Sequence, residues 1–365
     1  PFRSQGGIRG ACGTLAASPG ARSRERREGT LPIGPFAIYL NANARRVSPD
    51  VVGQIEELVP PDDIFFASTP QEGAQFARTI LERRYPTVFA GGGDGTVVQL
   101  INQLWQASLA RPERPRLPAL GVLSLGTGNA LSLLVSSGSP IQDLKTYVSN
   151  PSQDTWTISL VDVGGHLFPF ASLGTDAELL KDYMDFKQQF GGGRLKPVFQ
   201  NVGGYFVAFF GATAPRHIKG FVEGRTLSVR VTNLGPQAWR IGAEGAKGRP
   251  YGPGEVMYEG PVILTIAGTT PTFGYRMRVL PWADKHPDLF HLRVSNVPLA
   301  WCLLNLHKAW EGTFTAEGMH DFYASHVRME YSRPVPFQVA GDVAGERETV
   351  EFRVVPEAIR LLRFL

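Results

Sequence analysis

The residue types best suited to chemistry in this chain lie in one short segment, Gly92-Gly93-Asp94-Gly95-Thr96. Glycine has no Cβ, so a glycine-rich turn lets backbone N–H groups approach phosphate oxygens closely. The carboxylate of Asp94 would repel a phosphate, unless it does separate work such as proton abstraction or magnesium handling. The segment therefore indicates phosphate chemistry, although a single glycine-rich turn is also common in proteins without such a role.

A second segment of the same kind follows downstream, Gly126-Thr127-Gly128-Asn129. Apolar runs at residues 88–90 and 119–125 precede the two segments, and helical patterns follow them. The carboxyl ends of parallel strands meet at one edge of a sheet, where open α/β proteins bind their ligands. We therefore expect the two glycine-rich turns to face each other across a crevice.

The elements that must position these turns alternate along the chain. Residues 36–40 and 63–67 are typical of buried strands, whereas residues 48–58 and 70–83 are typical of helices that begin with proline in the first turn. This order predicts a parallel sheet with crossover helices. After about residue 151 the pattern changes to period-two alternation, which predicts antiparallel strands.

The composition argues against several classes of function. The whole net charge of +4 arises in residues 1–30, which contain six arginines and two glutamates, so the remaining chain lacks the basic surface of a nucleic-acid-binding protein. Two cysteines, Cys12 and Cys302, cannot form a disulfide framework and favour a reducing, cytoplasmic compartment. The histidines show no metal-ligand spacing, and no apolar run approaches the roughly 18 residues of a transmembrane helix.

Together with Leu125, the two glycine-rich segments resemble the catalytic domain of the diacylglycerol kinase and sphingosine kinase superfamily, in particular bacterial-type lipid kinases. The resemblance extends over roughly residues 35–362 and includes a late segment, Phe337–Asp342. It implies a Rossmann-like parallel-sheet domain of the type found in NAD kinases and diacylglycerol kinases, followed by an antiparallel β-sandwich. The expected regions are a disordered basic tail (1–31), a nucleotide-binding α/β domain (32–150), a β-sandwich domain for the lipid substrate (151–349) and a C-terminal segment that returns to the first domain (350–365).

The function implied by this resemblance is that of an ATP-dependent lipid kinase. Such an enzyme transfers the γ-phosphoryl group to a hydroxyl of diacylglycerol, a sphingoid base or a related lipid, with ATP and Mg²⁺ as cofactors. We expect it to act on a lipid at a membrane surface, as a cytoplasmic, peripheral protein with no nucleic-acid partner. A homodimer formed through an exposed sandwich edge is compatible with the sequence.

The resemblance also implies which residues form the active site. Asp94 and Asp342 would be catalytic and Asp176 would contact the lipid headgroup, although Asp94 and Asp176 also suit a simpler role as helix caps. No metal ligand can be named from the sequence. The residues expected to bind the nucleotide are Asn41, Gly92, Gly93, Gly95, Thr96, Gly126, Thr127, Gly128 and Asn129.

Two positions depart from the family pattern. Ala340 and Gln99 stand where acidic residues are usual. The departures keep open a second interpretation, in which the chain is a catalytically decayed module that binds a nucleotide or a lipid. An NAD kinase is less favoured, because the second motif of that family, of the kind Thr-x-Ser-Gly-Ser-Thr-Ala-Tyr, is missing.

Overall fold

A four-stranded parallel sheet carries the two glycine-rich segments. The computed structural model describes residues 36–126, 131–151, 154–190, 226–272, 277–305 and 307–364, together with residue 212. The predicted tail lies outside these residues. The parallel strands are β1 (Phe36–Asn41), β2 (Ile64–Ala67), β3 (Thr87–Gly92) and β4 (Ala119–Ser124), in the spatial order β2-β1-β3-β4. The strand order reverses between β1 and β3, which is where ligands bind in sheets of this kind.

Local signals in the sequence determine where the first helices begin. Helix α1 (Pro49–Glu56) starts after Ser48, whose Oγ accepts a hydrogen bond from the Val51 N–H at 3.3 Å. Helix α2 (Pro70–Glu82) starts with a capping box formed by Thr69 and Glu72. Both helices were predicted, and each ends within two residues of its expected end. The remaining helices of this part are α3 (Asp94–Leu109), α4 (Ser132–Val135) and α5 (Pro140–Ser149).

The later part of the described chain is dominated by antiparallel strands. They join the parallel strands in one hydrogen-bonded network, so the fold is mixed α/β. The sandwich arrangement and the boundary at residue 150 stay predictions. The strands are β5 (Thr155–Val163), β6 (His166–Phe168), β7 (Phe170–Gly174), β8 (Ser228–Asn233), β9 (Ala238–Ile241), β10 (Lys247–Tyr251), β11 (Val256–Pro261), β12 (Leu264–Gly268), β13 (Phe290–Ser295), β14 (Met319–Ala324), β15 (His326–Val339) and β16 (Asp342–Leu362), and the described helices are α6 (Thr175–Phe190), α7 (Leu299–Leu304) and α8 (His307–Glu311).

Strand β16 connects the two kinds of sheet. Its first half pairs antiparallel with β15, and its second half pairs antiparallel with β5. Near its end, Leu361 pairs with Leu120 of β4 in the parallel sense. Strand β16 therefore pairs with the edge of the parallel sheet, whose strands come first in the sequence.

A buried ion pair lies in the antiparallel part. Arg293 on β13 donates two hydrogen bonds to the carboxylate of Asp321 on β14, at 2.7 and 2.9 Å. Both side chains are almost fully buried. Burial by itself would raise the pKa of Asp321, but the guanidinium charge and its hydrogen bonds outweigh burial and hold the pKa well below its usual range.

We expect Asp321→Asn to lower the free energy of unfolding by about 3–5 kcal/mol, because it leaves the positive charge of Arg293 buried without the carboxylate that neutralises it. Glu259→Gln breaks the exposed Arg230–Glu259 pair and should cost less than about 1 kcal/mol. Urea unfolding of both variants measures the difference.

The same ion pair makes stability depend on pH. Because folding lowers the pKa of Asp321, its carboxylate stabilises the protein above the ordinary aspartate pKa, and this stabilisation is lost as the pH falls toward the pKa in the folded protein. Equal stabilities for the two variants would contradict this account.

Candidate active site

Three loops meet at the carboxyl edge of the parallel sheet, after β1, β3 and β4. The side-chain amide of Asn41 donates to Oγ1 of Thr96 at 3.0 Å. The backbone N–H of Arg46 donates to the carbonyl of Leu125 at 3.2 Å, and the Leu125 N–H donates to the carbonyl of Gly92 at 3.1 Å. These bonds fix the three loops relative to one another.

The two glycine-rich turns approach at the level of the backbone. A Cβ at Gly126 would lie 2.2 Å from the Cα of Gly93 and 2.4 Å from its nitrogen, which is far inside van der Waals contact. A Cβ at Gly92 would lie 2.3 Å from Oγ1 of Thr96. By contrast, a Cβ at Gly95 would have its closest neighbour at 3.7 Å, the Oδ2 atom of Asp342. Gly92 and Gly126 are therefore needed for packing, whereas Gly95 borders open space.

Asp94 connects the two turns. It is the first residue of α3, and its Oδ1 accepts a hydrogen bond from the backbone N–H of Leu131 at 3.0 Å. Gly93, at the N-cap of α3, makes no side-chain cap. The carboxylate therefore holds the segment that follows the second glycine-rich turn. Of that turn, Thr127, Gly128 and Asn129 lie outside the described residues, so their predicted contacts with a nucleotide stay predictions.

An open cleft of about 1200 Å³ lies in front of the turns. Cationic side chains from three segments, Arg45, Arg78 and Arg111, line it together with a row of amide side chains on α3. Arg111 also pairs with Glu82 at 3.2 Å. The predicted site residues that line the cleft are Asn41, Gly93, Gly95, Thr96, Gly126 and Asp342. The structure therefore brings six residues from distant parts of the sequence to one surface, with positive charge beside them.

Asp342 enters the cleft from a tight hairpin between β15 and β16. The two residues of the turn, Ala340 and Gly341, have φ angles of 48° and 90°, as a two-residue hairpin of type I′ requires. Glycine adopts such angles freely, whereas alanine does so at a cost. The Asp342 side chain reaches solvent in the cleft, but the surrounding protein removes part of its hydration and raises the pKa of the carboxyl.

Asp176, predicted to contact the lipid headgroup, lies outside the cleft lining in the first turn of α6. Its Oδ2 accepts hydrogen bonds from Ser172 Oγ at 2.6 Å and from Gln338 Nε2 at 2.7 Å. Oε1 of Gln338 in turn accepts from the Gly341 N–H at 2.9 Å. The buried Gln338 thus connects Asp176 to the turn that carries Asp342. Gln338 was not predicted from the sequence, and its polar side chain within the apolar run of residues 334–340 was the signal for it.

The predicted carboxylates do not form a metal-binding cluster among the described residues. In the part of the chain that the structure describes, no group of three or more His, Cys, Asp or Glu residues could hold a metal ion. The predicted carboxylates reach different places, because Asp342 lines the cleft, Asp94 bonds Leu131 and Asp176 bonds Gln338.

Two glycine substitutions test the packing of the turns. We expect Gly126→Ala to lower the free energy of unfolding by about 1–3 kcal/mol, because the new methyl group meets backbone atoms that cannot move aside easily. Gly95→Ala should leave stability unchanged or raise it by up to about 1 kcal/mol, since its Cβ meets no atom closely and alanine favours the helix. Urea unfolding compares the two. A Gly126→Ala protein as stable as Gly95→Ala would refute the close approach.

Part of the chain matches a known protein family. Residues 41–159 match the diacylglycerol kinase catalytic domain. That range begins at Asn41 and contains both glycine-rich turns, whereas Asp176 and Asp342 lie beyond it. No curated protein is significantly similar to the chain in sequence.

Three solved structures from Bacillus anthracis str. Sterne share the fold. Two are provisionally named diacylglycerol kinases, with identities of 14% and 12% and TM-scores of 0.61 and 0.58. The third, which is named a diacylglycerol kinase, is 10% identical to this chain, with a TM-score of 0.55. The alignments cover 92–93% of this chain and 98% of each neighbour, although identities this low show the fold alone. The match of residues 41–159 to the diacylglycerol kinase catalytic domain confirms the family resemblance that was predicted from the two glycine-rich segments.

Proposed function

We propose that this chain is an ATP-dependent lipid kinase that transfers the γ-phosphoryl group to a hydroxyl of diacylglycerol, a sphingoid base or a related lipid. The observation that carries the proposal is the meeting of two glycine-rich turns and the Asp342 carboxylate in one cleft. Phosphoryl transfer needs a phosphate cradle, a divalent ion and a group that receives the proton of the attacking hydroxyl. The catalytic-domain family supports the same class of reaction.

The amino end of α3 is the proposed cradle for the phosphates. Helix amino ends carry partial positive charge and unpaired N–H groups, and Gly95 leaves this end open to the cleft. Arg45, an exposed cation at the rim, adds full positive charge. Asn41 is held by Thr96, so its side chain is already ordered before a ligand arrives.

Asp342 is the proposed general base. Its carboxylate would take the proton from the lipid hydroxyl while that oxygen bonds to the γ-phosphorus and the bond from phosphorus to the β,γ-bridging oxygen breaks. ADP then leaves, and Asp342 returns the proton to water. Asp94 is the second candidate for this role or for the magnesium network, although its bond to Leu131 also gives it a positioning role.

The oxygen atoms of Asp342 and of the nucleotide phosphates would suit Mg²⁺, bound together with the nucleotide. The ion prefers oxygen ligands and is usually bound by one or two carboxylates together with phosphates and waters. Asp342 offers such a carboxylate beside the proposed cradle. When bound, the ion would neutralise charge on the transferring group.

The lipid is proposed to approach from the side of Asp176. The bonds from Asp176 through Gln338 to Gly341 give a direct connection between a headgroup contact and the turn that holds the base. Among the described residues, no helix is both long enough and apolar enough to span a bilayer. A peripheral encounter with the membrane surface is part of the proposal.

Ala340 and Gln99 favour one alternative, a decayed module that binds a nucleotide or a lipid without transfer. Ala340 occupies the turn beside Asp342, and Gln99 lines the cleft, so both substitutions remove carboxylates close to the proposed chemistry. An NAD kinase is a weaker alternative, since its second motif is missing from the sequence.

A labelled-phosphate assay separates these functions. Purified protein with Mg²⁺ and γ-labelled ATP should label one lipid from a mixed-micelle panel that includes diacylglycerol and a sphingoid base. Asp342→Asn should reduce the rate by roughly 10²–10⁴-fold, as expected for loss of a general base, and Asp94→Asn should also reduce it. Arg333→Gln, on the exposed part of β15, should not. ATP binding without transfer to any lipid would select the decayed module, and transfer of label to NAD in a parallel reaction that contains it would select the rival kinase.

The pH dependence of the same reaction tests the role of Asp342. Only the deprotonated carboxylate can accept the proton, and its pKa in the folded protein is raised by burial. We therefore expect kcat/KM to fall with decreasing pH at a value above the ordinary aspartate pKa of 3.8. The residual activity of Asp342→Asn should not show this fall in kcat/KM at low pH. The free energy of unfolding of the variant at neutral pH should not decrease, because loss of hydration disfavours the charged form of Asp342. If kcat/KM of Asp342→Asn fell at low pH as in the wild-type protein, the general base would be another residue.

A further inference from the structure

A second cavity, of about 470 Å³, lies at the amino ends of the parallel strands, opposite the end that carries the cleft. It includes Thr87 and Ala119, the first residues of β3 and β4, whereas the nucleotide cleft lies beyond their last residues. Strand β3 has six residues, so the two sites are separated by about 16 Å along the strand. One phosphate group cannot reach both.

Three arginines from separate segments line this cavity. Arg84 lies between α2 and β3, Arg116 lies between α3 and β4, and Arg360 lies near the end of β16. We call these residues the arginine pocket. Among the described residues that line it, none is acidic. None of the three arginines forms an ion pair with a described carboxylate, although the neighbouring Arg363 lies 3.8 Å from Asp154.

The setting of Arg360 shows that positive charge is concentrated there. Its guanidinium is half-buried and donates a hydrogen bond to the carbonyl of Leu117 at 3.3 Å. Burial and the facing charge of Arg116 both lower the pKa of Arg360, although a guanidinium still stays protonated at neutral pH. Two cations held together against a partly apolar wall repel each other, and a bound anion would relieve that repulsion.

The remaining walls of the arginine pocket define the shape of the ligand. Leu81, Leu117 and Leu362 supply apolar surface, and the hydroxyl groups of Thr87 and Tyr147, which bond each other at 2.9 Å, lie at the floor. Guanidinium groups match the oxygen geometry of phosphate and bind it through paired hydrogen bonds. A phosphate next to an apolar moiety therefore fits the arginine pocket better than a highly hydrated ion does.

We propose that the arginine pocket is a second anion site, which binds a phosphate group carried either by a small soluble metabolite or by an anionic lipid headgroup. The site is independent of the nucleotide cleft and of the proposed kinase reaction. Its residues come from the loops at the amino ends of two parallel strands and from the last strand of the chain.

Calorimetric titration of the full chain with inorganic phosphate at low ionic strength tests the site. Because the cleft is also built for phosphates, two variants are compared: Arg84→Gln/Arg116→Gln in the arginine pocket and Arg45→Gln in the cleft. We expect the first to bind phosphate at this site at least tenfold more weakly, and the second to retain it. Arg333→Gln, which removes one exposed charge outside both sites, is the matched control for Arg45→Gln. Arg84 and Arg116 are exposed, so the double variant should fold, which thermal unfolding verifies.

Vesicles then identify the source of the phosphate. Sedimentation compares phosphatidylcholine vesicles with vesicles that also contain phosphatidic acid. Weaker binding of the double variant to the anionic vesicles alone would assign a lipid headgroup. Unchanged vesicle binding together with lost phosphate binding would assign a soluble ligand. Phosphate binding that is absent in the wild-type protein, equal in the double variant, or lost only in Arg45→Gln would overturn the proposal.

Discussion

The backbones of the two glycine-rich turns touch, and the shape of the cleft depends on that contact. Gly126 lies so close to Gly93 that no side chain could be placed between them. The Leu125 N–H and the Asp94 carboxylate then connect the segments on either side of the contact. A carboxylate that looks out of place in a phosphate-binding turn is thus explained in part by geometry, because it holds the second turn against the first.

The features that could be predicted from the sequence are those with local causes. Ser48, Thr69 and Glu72 cap their helices through atoms a few residues away, so α1 and α2 were found nearly residue by residue. The glycine-rich turns follow strands whose apolar runs are continuous, as buried parallel strands require. Six of the predicted site residues consequently appear around one cleft, although their chemical roles stay predictions.

The features that could not be predicted depend on contacts between distant residues. Asp94 was expected to cap its own helix or to act in catalysis, and neither expectation includes its hydrogen bond to Leu131, 37 residues later. Gln338 meets Asp176 across 162 residues, and nothing in either local sequence specifies that pair. Ala340 looked like a lost carboxylate, and the structure adds a second property, a left-handed backbone conformation that alanine adopts at a cost of about 1 kcal/mol. These contacts and backbone conformations are determined only when the strands have paired in their final register.

The pairing of β16 with β4 has a consequence for how the protein folds. Arg360 and Leu117 contact each other although 243 residues separate them in the chain. Until β16 has been synthesised, one edge of β4, a fully buried strand in the folded protein, lacks this partner. Unpaired apolar edges are the part of a nascent chain most prone to association, and contacts of such long sequence range form slowly. The yield of folded protein, as well as its architecture, therefore depends on the pairing of β16 with β4.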